Sequence, residues 1–305
     1  RRGGMAAPPA AAPAAAPAAS WASPPAALLT ALEQRLGPRG FTMDDDVMRP
    51  WLTDWRGKYH GRAAAMLSPA TAAEVVDIVR LCAAARTPLV PQGGNSGMVG
   101  GATPDASGGQ LLLSLRRMNQ IRSIDPAAQS VVAEAGVILQ TLHERVEAVG
   151  LRFPLTLGGK GSATIGGLVS TNAGGTQVLR HGTMRALVEG VEAVLPDGSL
   201  FEGLAALKKD NRGYDLKHLL CGAEGTLGIV TAARLRLVPA IAHRLTGWVG
   251  VASPDAALAL LRRLEARLGA MLEGFELIPQ SCVDAVLAHI AGTRAPLPAH
   301  RGWHV

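Results

Sequence analysis

Thr87-Pro88-Leu89-Val90-Pro91-Gln92-Gly93-Gly94-Asn95-Ser96-Gly97-Met98-Val99-Gly100-Gly101 is the stretch on which the reading of this chain turns. Thr87 to Val90 has the apolar, β-branched character of a buried strand, and it runs straight into a loop in which five of nine positions are glycine. Consecutive glycines can take left-handed dihedrals that turn successive N–H groups inward, and such a nest binds anionic oxygens. Asn95 and Ser96 add side-chain donors, and the missing Cβ at Gly93, Gly94 and Gly97 lets a diphosphate reach the backbone. The bland alternative is a flexible glycine loop; glycine this dense, directly after a buried strand, favours the anion site. No G-x-G-x-x-G occurs, which argues against a doubly wound dinucleotide fold. The two Gly-Lys pairs, Gly57-Lys58 and Gly159-Lys160, lack the frame of a phosphate-binding P-loop.

Two further glycine segments follow. Gly158-Gly159-Lys160-Gly161-Ser162-Ala163-Thr164-Ile165-Gly166-Gly167 leads to Thr171-Asn172-Ala173-Gly174-Gly175. Small residues in this density suit backbone laid against a flat ring, and Asn172 offers both a donor and an acceptor. Close helix packing is an equally good reason for Gly166-Gly167. Lys209-Asp210-Asn211-Arg212-Gly213-Tyr214-Asp215-Leu216 reads as well as a solvated turn as a ligand contact. Gly222-Ala223-Glu224-Gly225-Thr226-Leu227-Gly228-Ile229 puts thin backbone at the mouth of a strand. Taken together, the segments describe a long ligand bound in extended form.

Around them the pattern is mixed. Residues 26–36 suit a helix stopped by Gly37-Pro38, and Trp51 to Gly57 reads as a packing anchor. Thr71-Ala72-Ala73-Glu74 is a capping box opening a helix to about Ala85. Leu111–Leu115, Ser130–Ala133, Val188–Leu195 and Gly228–Val238 read as strands, and Val137–Val149 as an amphipathic helix ended by Gly150. Strands outnumber helices without alternating with them, so the fold class is α+β. After Pro239 come a strand at Leu245–Val251, a helix at Pro254–Leu268, a strand at Phe275–Ile278, a helix at Cys282–Ile290 and the opening of a strand at Gly302–Val305. The expected division is an Ala/Pro tail without fixed structure at 1–25, a helix and arm at 26–61, a ligand-binding domain at 62–240 and an incomplete second domain at 241–305.

Composition narrows the classes. Apolar residues are 48% of the 305 and aromatics only 4%, so a large core has to be aliphatic. The net charge of +6 comes from scattered arginines with no run of four, which disfavours nucleic acid as a partner. Cys82, Cys221 and Cys282 lie far apart, each in an apolar stretch, and read as buried thiols of a reducing compartment. A cytoplasmic location, or one on a membrane surface, is expected. None of the eight histidines shows trustworthy metal-ligand spacing; His300 and His304 are four apart, but Pro298 and Gly302 oppose a helix there.

Pro91-Gln92-Gly93-Gly94-Asn95-Ser96-Gly97, Thr171-Asn172-Ala173-Gly174-Gly175 and Asp210-Asn211-Arg212-Gly213-Tyr214-Asp215-Leu216-Lys217, in this order, resemble the FAD-binding domain of the vanillyl-alcohol oxidase / p-cresol methylhydroxylase superfamily. Within it the similarity is strongest to the D-2-hydroxyglutarate dehydrogenase, D-lactate dehydrogenase (cytochrome) and glycolate oxidase FAD-subunit families, from about Trp51 to Pro239. The resemblance implies an α+β flavin domain of two subdomains with non-covalent FAD. Pro91, Gln92, Gly93, Gly94, Asn95, Ser96 and Gly97 would hold the pyrophosphate. Gly159, Ser162, Gly166, Asn172, Gly174 and Gly175 would line the ribityl chain and ring, and Glu224, Gly225 and Ile229 the nucleotide end. Leu168 departs from the family, whose members carry Asn there, which removes one polar contact. The implied reaction oxidises a D-2-hydroxy acid to the 2-oxo acid by hydride transfer to flavin N5, with electrons passed to an electron-transfer flavoprotein, quinone or cytochrome. In the family the catalytic base and a divalent-metal site lie in a later region, so the resemblance assigns no catalytic or metal residue here and implies a metal only with that region present. This chain alone is then expected to turn over poorly; a homodimer is the expected assembly. The alternatives are a non-catalytic flavin-binding remnant and a different alcohol oxidation on the same domain.

Overall fold

The computed structural model describes residues 21–205, 207, 209–298 and 301–305. The tail expected to lack structure falls, as far as residue 20, outside the described residues, and so does His300.

Two sheets build the body of the molecule, in agreement with an α+β fold. In the first the strands run in the order Phe41–Thr42, Ala65–Leu67, Leu111–Ser114, Leu89–Gln92, and all neighbours except the first pair are parallel. Leu111–Ser114 is buried at every position, as an inner parallel strand covered on both faces should be. The helix Ala72–Ala84 lays Val75, Ile78, Val79 and Cys82 onto this sheet, the spacing of one helical face. Its first turn is capped as the sequence predicts, with the Thr71 hydroxyl accepting from the Glu74 N–H at 3.1 Å. Helix Ala26–Leu36 adds Leu28, Leu32 and Leu36 to the same aliphatic cluster and ends at Gly37, whose φ of 66° is left-handed.

The second sheet is antiparallel, in the order Ile121–Asp125, Ser130–Glu134, Ile229–Arg236, Val188–Val194, Leu200–Gly203. Its inner face joins helices Leu139–Glu147 and Ile165–Ser170 in a second aliphatic cluster. Its other face carries a polar bridge: Arg122 holds Glu192 through two hydrogen bonds of 2.9 and 3.0 Å and reaches Glu134 at 3.2 Å. Burial works to raise the Glu192 carboxyl, but the hydrogen bonds from Arg122 and Thr231 outweigh it and hold the group below its ordinary value.

Beyond residue 240 a separate three-stranded sheet has only two-residue strands, with Trp303–His304 between Gly250–Val251 and Ile278–Pro279. The strand expected over Leu245–Val251 shrinks to its last two residues, and Leu245 is 99% exposed. The strand expected over Phe275–Ile278 becomes Ile278–Pro279. Both follow from pairing: a strand exists only where a partner completes its ladder, and Trp303–His304 offers two residues. The helix Pro254–Leu268 has the predicted bounds, with Ser253 as its cap. The expectation of three buried thiols holds for Cys82 and Cys221 but not for Cys282, which is exposed because its helix Gln280–His289 buries only Val283.

Candidate functional site

The strand Leu89–Gln92 delivers the glycine loop to the junction of the two large sheets. Gln92, 1% exposed, is the last strand residue, and its Nε2 donates to the carbonyls of Trp51 at 2.9 Å and Ala102 at 2.8 Å. That fork ties the start of the loop to its end and to the Trp51 arm, which is the packing role expected of the Trp51–Gly57 stretch. Asn95 has a left-handed φ of 51°, and its Nδ2 donates to the Thr53 carbonyl at 2.8 Å.

The loop is built differently from the reading of the sequence. Gly93, Gly94 and Gly97 are not left-handed; the left-handed loop residues are Asn95 and Gly100. A Cβ on Gly94 would stand 1.7 Å from the Ser162 carbonyl oxygen, and one on Gly93 would stand 2.1 Å from Thr164 Oγ1. The space without a side chain at these two glycines is therefore filled by the second glycine segment, not left for a diphosphate. At Gly97 nothing lies within 4 Å, so that position is open as expected. Among the described residues, no backbone N–H from Gly94 to Ala102 donates to a protein acceptor. This run of unpaired donors is what the anion-site reading requires.

The other two segments close on the same place. Ser96 Cβ lies 3.7 Å from the Cβ position of Gly159, and Pro91 Cγ lies 3.2 Å from that of Gly225. Glu224, left-handed at φ 51°, donates its N–H to the Ser170 carbonyl at 2.8 Å, and its Oε2 is 3.4 Å from the Cβ position of Gly101. Pro91, Gln92, Gly93, Gly97, Thr164, Gly166, Glu224, Gly225 and Ile229 thus share one cleft. Gly94 and Ser162 turn toward an adjoining cleft, which Thr164 also lines. That second cleft contains Arg116, whose guanidinium carbon sits 3.3 Å above the Trp51 ring and whose pKa burial pushes down.

Of the other predicted residues, Asn172, Gly174 and Gly175 are not among those that line either cleft. Gly166 is packed against Ala135, whose Cβ would be 2.6 Å from a Cβ on the glycine, so the helix-packing reason applies to it as well. Asn172 is left-handed at φ 46°, and its Oδ1 accepts from the Arg185 N–H at 2.9 Å. Gly175 lies against the Thr156 carbonyl, which would be 2.4 Å from a Cβ there, while Gly174 is exposed beside Val178. Leu168 is 4% exposed within the aliphatic core, so it makes no polar contact in the cleft. The stretch from Lys209 to Leu216 is a solvated turn: Arg212 pairs with its neighbour Asp210, and Tyr214 is 93% exposed.

Two buried polar atoms test whether a flavin nucleotide fits. Gln92 Oε1 and Thr164 Oγ1 have no hydrogen-bond partner, and both residues line the main cleft. An unpaired buried polar atom costs about 1–3 kcal/mol, so each calls for a ligand with hydrogen-bonding edges. Together with the unpaired loop N–H groups they match a ligand carrying phosphates at one part and a polar ring edge at another. Thr164 was not singled out from the sequence; a buried hydroxyl in a run of small residues was its only signal.

Among the described residues no group of three His, Cys, Asp or Glu could hold a metal ion, and no helix is long and apolar enough to cross a membrane. His304 is buried between Trp248 Nε1 at 2.9 Å and Gln280 Oε1 at 2.7 Å.

The comparisons with known proteins agree with this geometry. Residues 63–203 match the FAD binding domain family. The chain is 40% identical over 262 residues to a mitochondrial D-2-hydroxyglutarate dehydrogenase of Bos taurus, covering 86% of this chain and 48% of the relative. The figures for the mitochondrial enzyme of that name from Arabidopsis thaliana are 37% over 270 residues, 88% and 48%. A D-2-hydroxyglutarate–pyruvate transhydrogenase of Saccharomyces cerevisiae is 33% identical over 252 residues, covering 83% and 50%. The chain spans about half the length of the curated relatives it matches. In fold it resembles an alkyldihydroxyacetonephosphate synthase structure, with a TM-score of 0.72 at 19% identity, over 89% of this chain and 53% of that one.

The cytoplasmic location expected from the sequence is overturned by the mitochondrial relatives. Its basis was three unpaired thiols, which mark a reducing compartment without saying which one. The fold, the converging glycine segments and the family match agree on one conclusion: residues 63–203 carry an FAD binding domain, the chain is similar over most of its length to part of the D-2-hydroxyglutarate dehydrogenases, and FAD is its cofactor.

Proposed function

We propose that the chain is the flavin-bearing part of an FAD-dependent D-2-hydroxyacid dehydrogenase, with residues 62–240 as the FAD-binding domain and 241–305 as the start of a substrate domain. The observation that carries this reading is the convergence of three glycine segments on one cleft that holds two unpartnered buried polar atoms, Gln92 Oε1 and Thr164 Oγ1.

In this assignment the N–H groups from Gly94 to Ala102, with Gly97 as the open position, receive the pyrophosphate. Gln92 and Thr164 satisfy their free oxygens on the cofactor. Gly159, Ser162, Gly166, Asn172, Gly174 and Gly175 border the ribityl chain and ring, and Pro91, Glu224, Gly225 and Ile229 close the cleft. Asn95 acts through its backbone, because its side-chain amide already holds Thr53. Bound FAD would supply the acceptor for the hydride of the carbon that becomes the 2-oxo group, with a quinone, cytochrome or electron-transfer flavoprotein as the onward electron acceptor. The substrate class follows the relatives, with 2-hydroxyglutarate first and lactate and glycolate as the smaller candidates.

Two measurements test the proposal. The purified chain should carry yellow FAD that acid releases into the supernatant; colour fixed in the pellet would show a covalent link. The protein expressed from its complete reading frame should have its flavin bleached anaerobically by D-2-hydroxyglutarate and not by the L isomer. No bleaching by D-2-hydroxyglutarate, D-lactate or glycolate would overturn the substrate assignment.

A further inference from the structure

The second cleft stands behind the main one and shares with it one lining residue, Thr164. Backbone parts the two. A Cβ on Gly94 would stand 1.7 Å from the Ser162 carbonyl oxygen, so the glycine loop and the second glycine segment meet as a wall. The second cleft holds about 400 Å³, within the range of small-molecule sites. Its charge is the reverse of the first. The ionisable residue lining the main cleft is the acid Glu224; the one lining the second is the cation Arg116.

Arg116 is half-buried and has no counter-ion among the described residues. Its Nε donates to the Ser114 hydroxyl at 3.1 Å and its face is covered by Trp51, which leaves the terminal nitrogens free for a ligand. A charge taken partly out of water without a partner is costly, and an anion in the cleft removes that cost. Further donors surround it. The helix Leu139–Glu147 opens on this cleft, with Ile138 as its N-cap residue and Thr141 in its first turn. The N–H groups of Ile138, Thr141 and Gly161 donate to no protein acceptor. A helix start adds positive potential to such donors. Thr164 is 2% exposed with its Oγ1 unpartnered, and a hydroxyl in the shared wall can serve a ligand on either side.

We infer that the second cleft is a binding site for an organic phosphate ester, separate from the FAD site. Arg116 and the N–H groups of Ile138, Thr141 and Gly161 take the phosphoryl oxygens, and the organic part lies against Trp51 and Val137. A phosphoryl group has three terminal oxygens, so it can meet a guanidinium and several N–H donors at once. The cleft is larger than a phosphate fills, which is why an ester fits it better than the inorganic ion. The site does not depend on the hydroxy-acid reading of the function; its separateness rests on FAD occupying the main cleft.

Phenyl phosphate is the probe, titrated calorimetrically into the FAD-loaded protein. The parent should bind it, and inorganic phosphate more weakly, because the ion makes no contact with Trp51. Arg116→Gln should bind phenyl phosphate about tenfold more weakly. Thr141→Glu places an acid where the helix start tolerates it but where it faces the phosphoryl group, and should weaken binding by about tenfold as well. Flavin absorbance should be the same in both variants as in the parent. No binding to the FAD-loaded parent at millimolar probe, or unchanged affinity in both variants, overturns the site. Binding confined to FAD-stripped protein and reversed by added FAD would assign Arg116 to the cofactor's diphosphate and overturn the separate site. Equal affinity for phenyl phosphate and inorganic phosphate overturns the assignment of an ester. If Arg116→Gln fails to fold, as circular dichroism would show, Thr141→Glu decides alone.

Discussion

Residues 62–240 and residues 241–305 obey the same local rules and reach opposite degrees of burial. The first region, with helix Ala26–Leu36, fills two aliphatic clusters. In the second, the buried hydrophobic side chains among the described residues are Ala257 and Val283. Yet the helix Pro254–Leu268 has a serine cap, proline in its first turn and an acid at Asp255, as sound a start as that of Ala72–Ala84 in the well-packed region. Caps and helical spacing therefore decide where a helix forms, while burial depends on what the rest of the molecule brings against it. Residues 62–240 share their core with helix Ala26–Leu36, whereas residues 241–305 have helices and strands in place with little buried between them.

Substitutions can break this contrast. The largest effect belongs to Leu155→Ala: the side chain is 1% exposed in the main cluster, and its truncation should cost about 3 kcal/mol in denaturant unfolding. A loss below about 1 kcal/mol would mean that the first region is not the cooperative core. Gly94→Ala comes next, because the new methyl would meet the Ser162 carbonyl and force two backbones apart. About 2 kcal/mol of destabilisation is expected, together with loss of bound FAD measured by absorbance. Retention of FAD at full occupancy would separate the loop from the cofactor.

Arg122→Gln tests the polar face of the same region. The folded pKa of Glu192 is depressed, so its contribution is present above the unfolded value near 4.5 and is lost as pH falls through the lower folded value. Without Arg122 that depression shrinks, and acid unfolding should begin at a higher pH, with roughly 1 kcal/mol lost at neutral pH after allowing for partial exposure. An acid-unfolding midpoint that does not move would assign the depression to Thr231 instead. The smallest effect is expected for Leu258→Ala, 51% exposed on the Pro254–Leu268 helix, at no more than about 0.5 kcal/mol. A cost like that of Leu155→Ala would show that residues 241–305 are already packed against a partner.

The sequence carried local information well. Thr71, Ser253 and Gly37 announce helix ends because capping and left-handed turns depend on neighbours in the chain. The strand leading into the glycine loop was legible for the same reason. What escaped depends on remote partners. Ile121–Asp125 and Leu200–Gly203 are edge strands, half-polar and recognisable only through the ladders they join. Ile165–Ser170 is a helix despite Gly166-Gly167, since Gly166 fits against Ala135 where a side chain would not. The glycines of the loop were found for a partly mistaken reason: Gly93 and Gly94 make room for another loop, and the atoms left waiting for a ligand belong to Gln92 and Thr164. The ion pair of Arg152 with Glu273, 121 residues apart, left no trace in any single window.

Asn95, Asn172 and Glu224 are non-glycine residues in the left-handed region, one in each glycine segment of the proposed FAD site. Each holds a conformation that an L side chain disfavours by about 1 kcal/mol or more, and each is fixed by the protein's own hydrogen bonds. The cavity is thus a rigid mould whose shape is set before the cofactor arrives. Binding need not order the loops, so stripping FAD should leave a protein that reloads on simple mixing, without a refolding step.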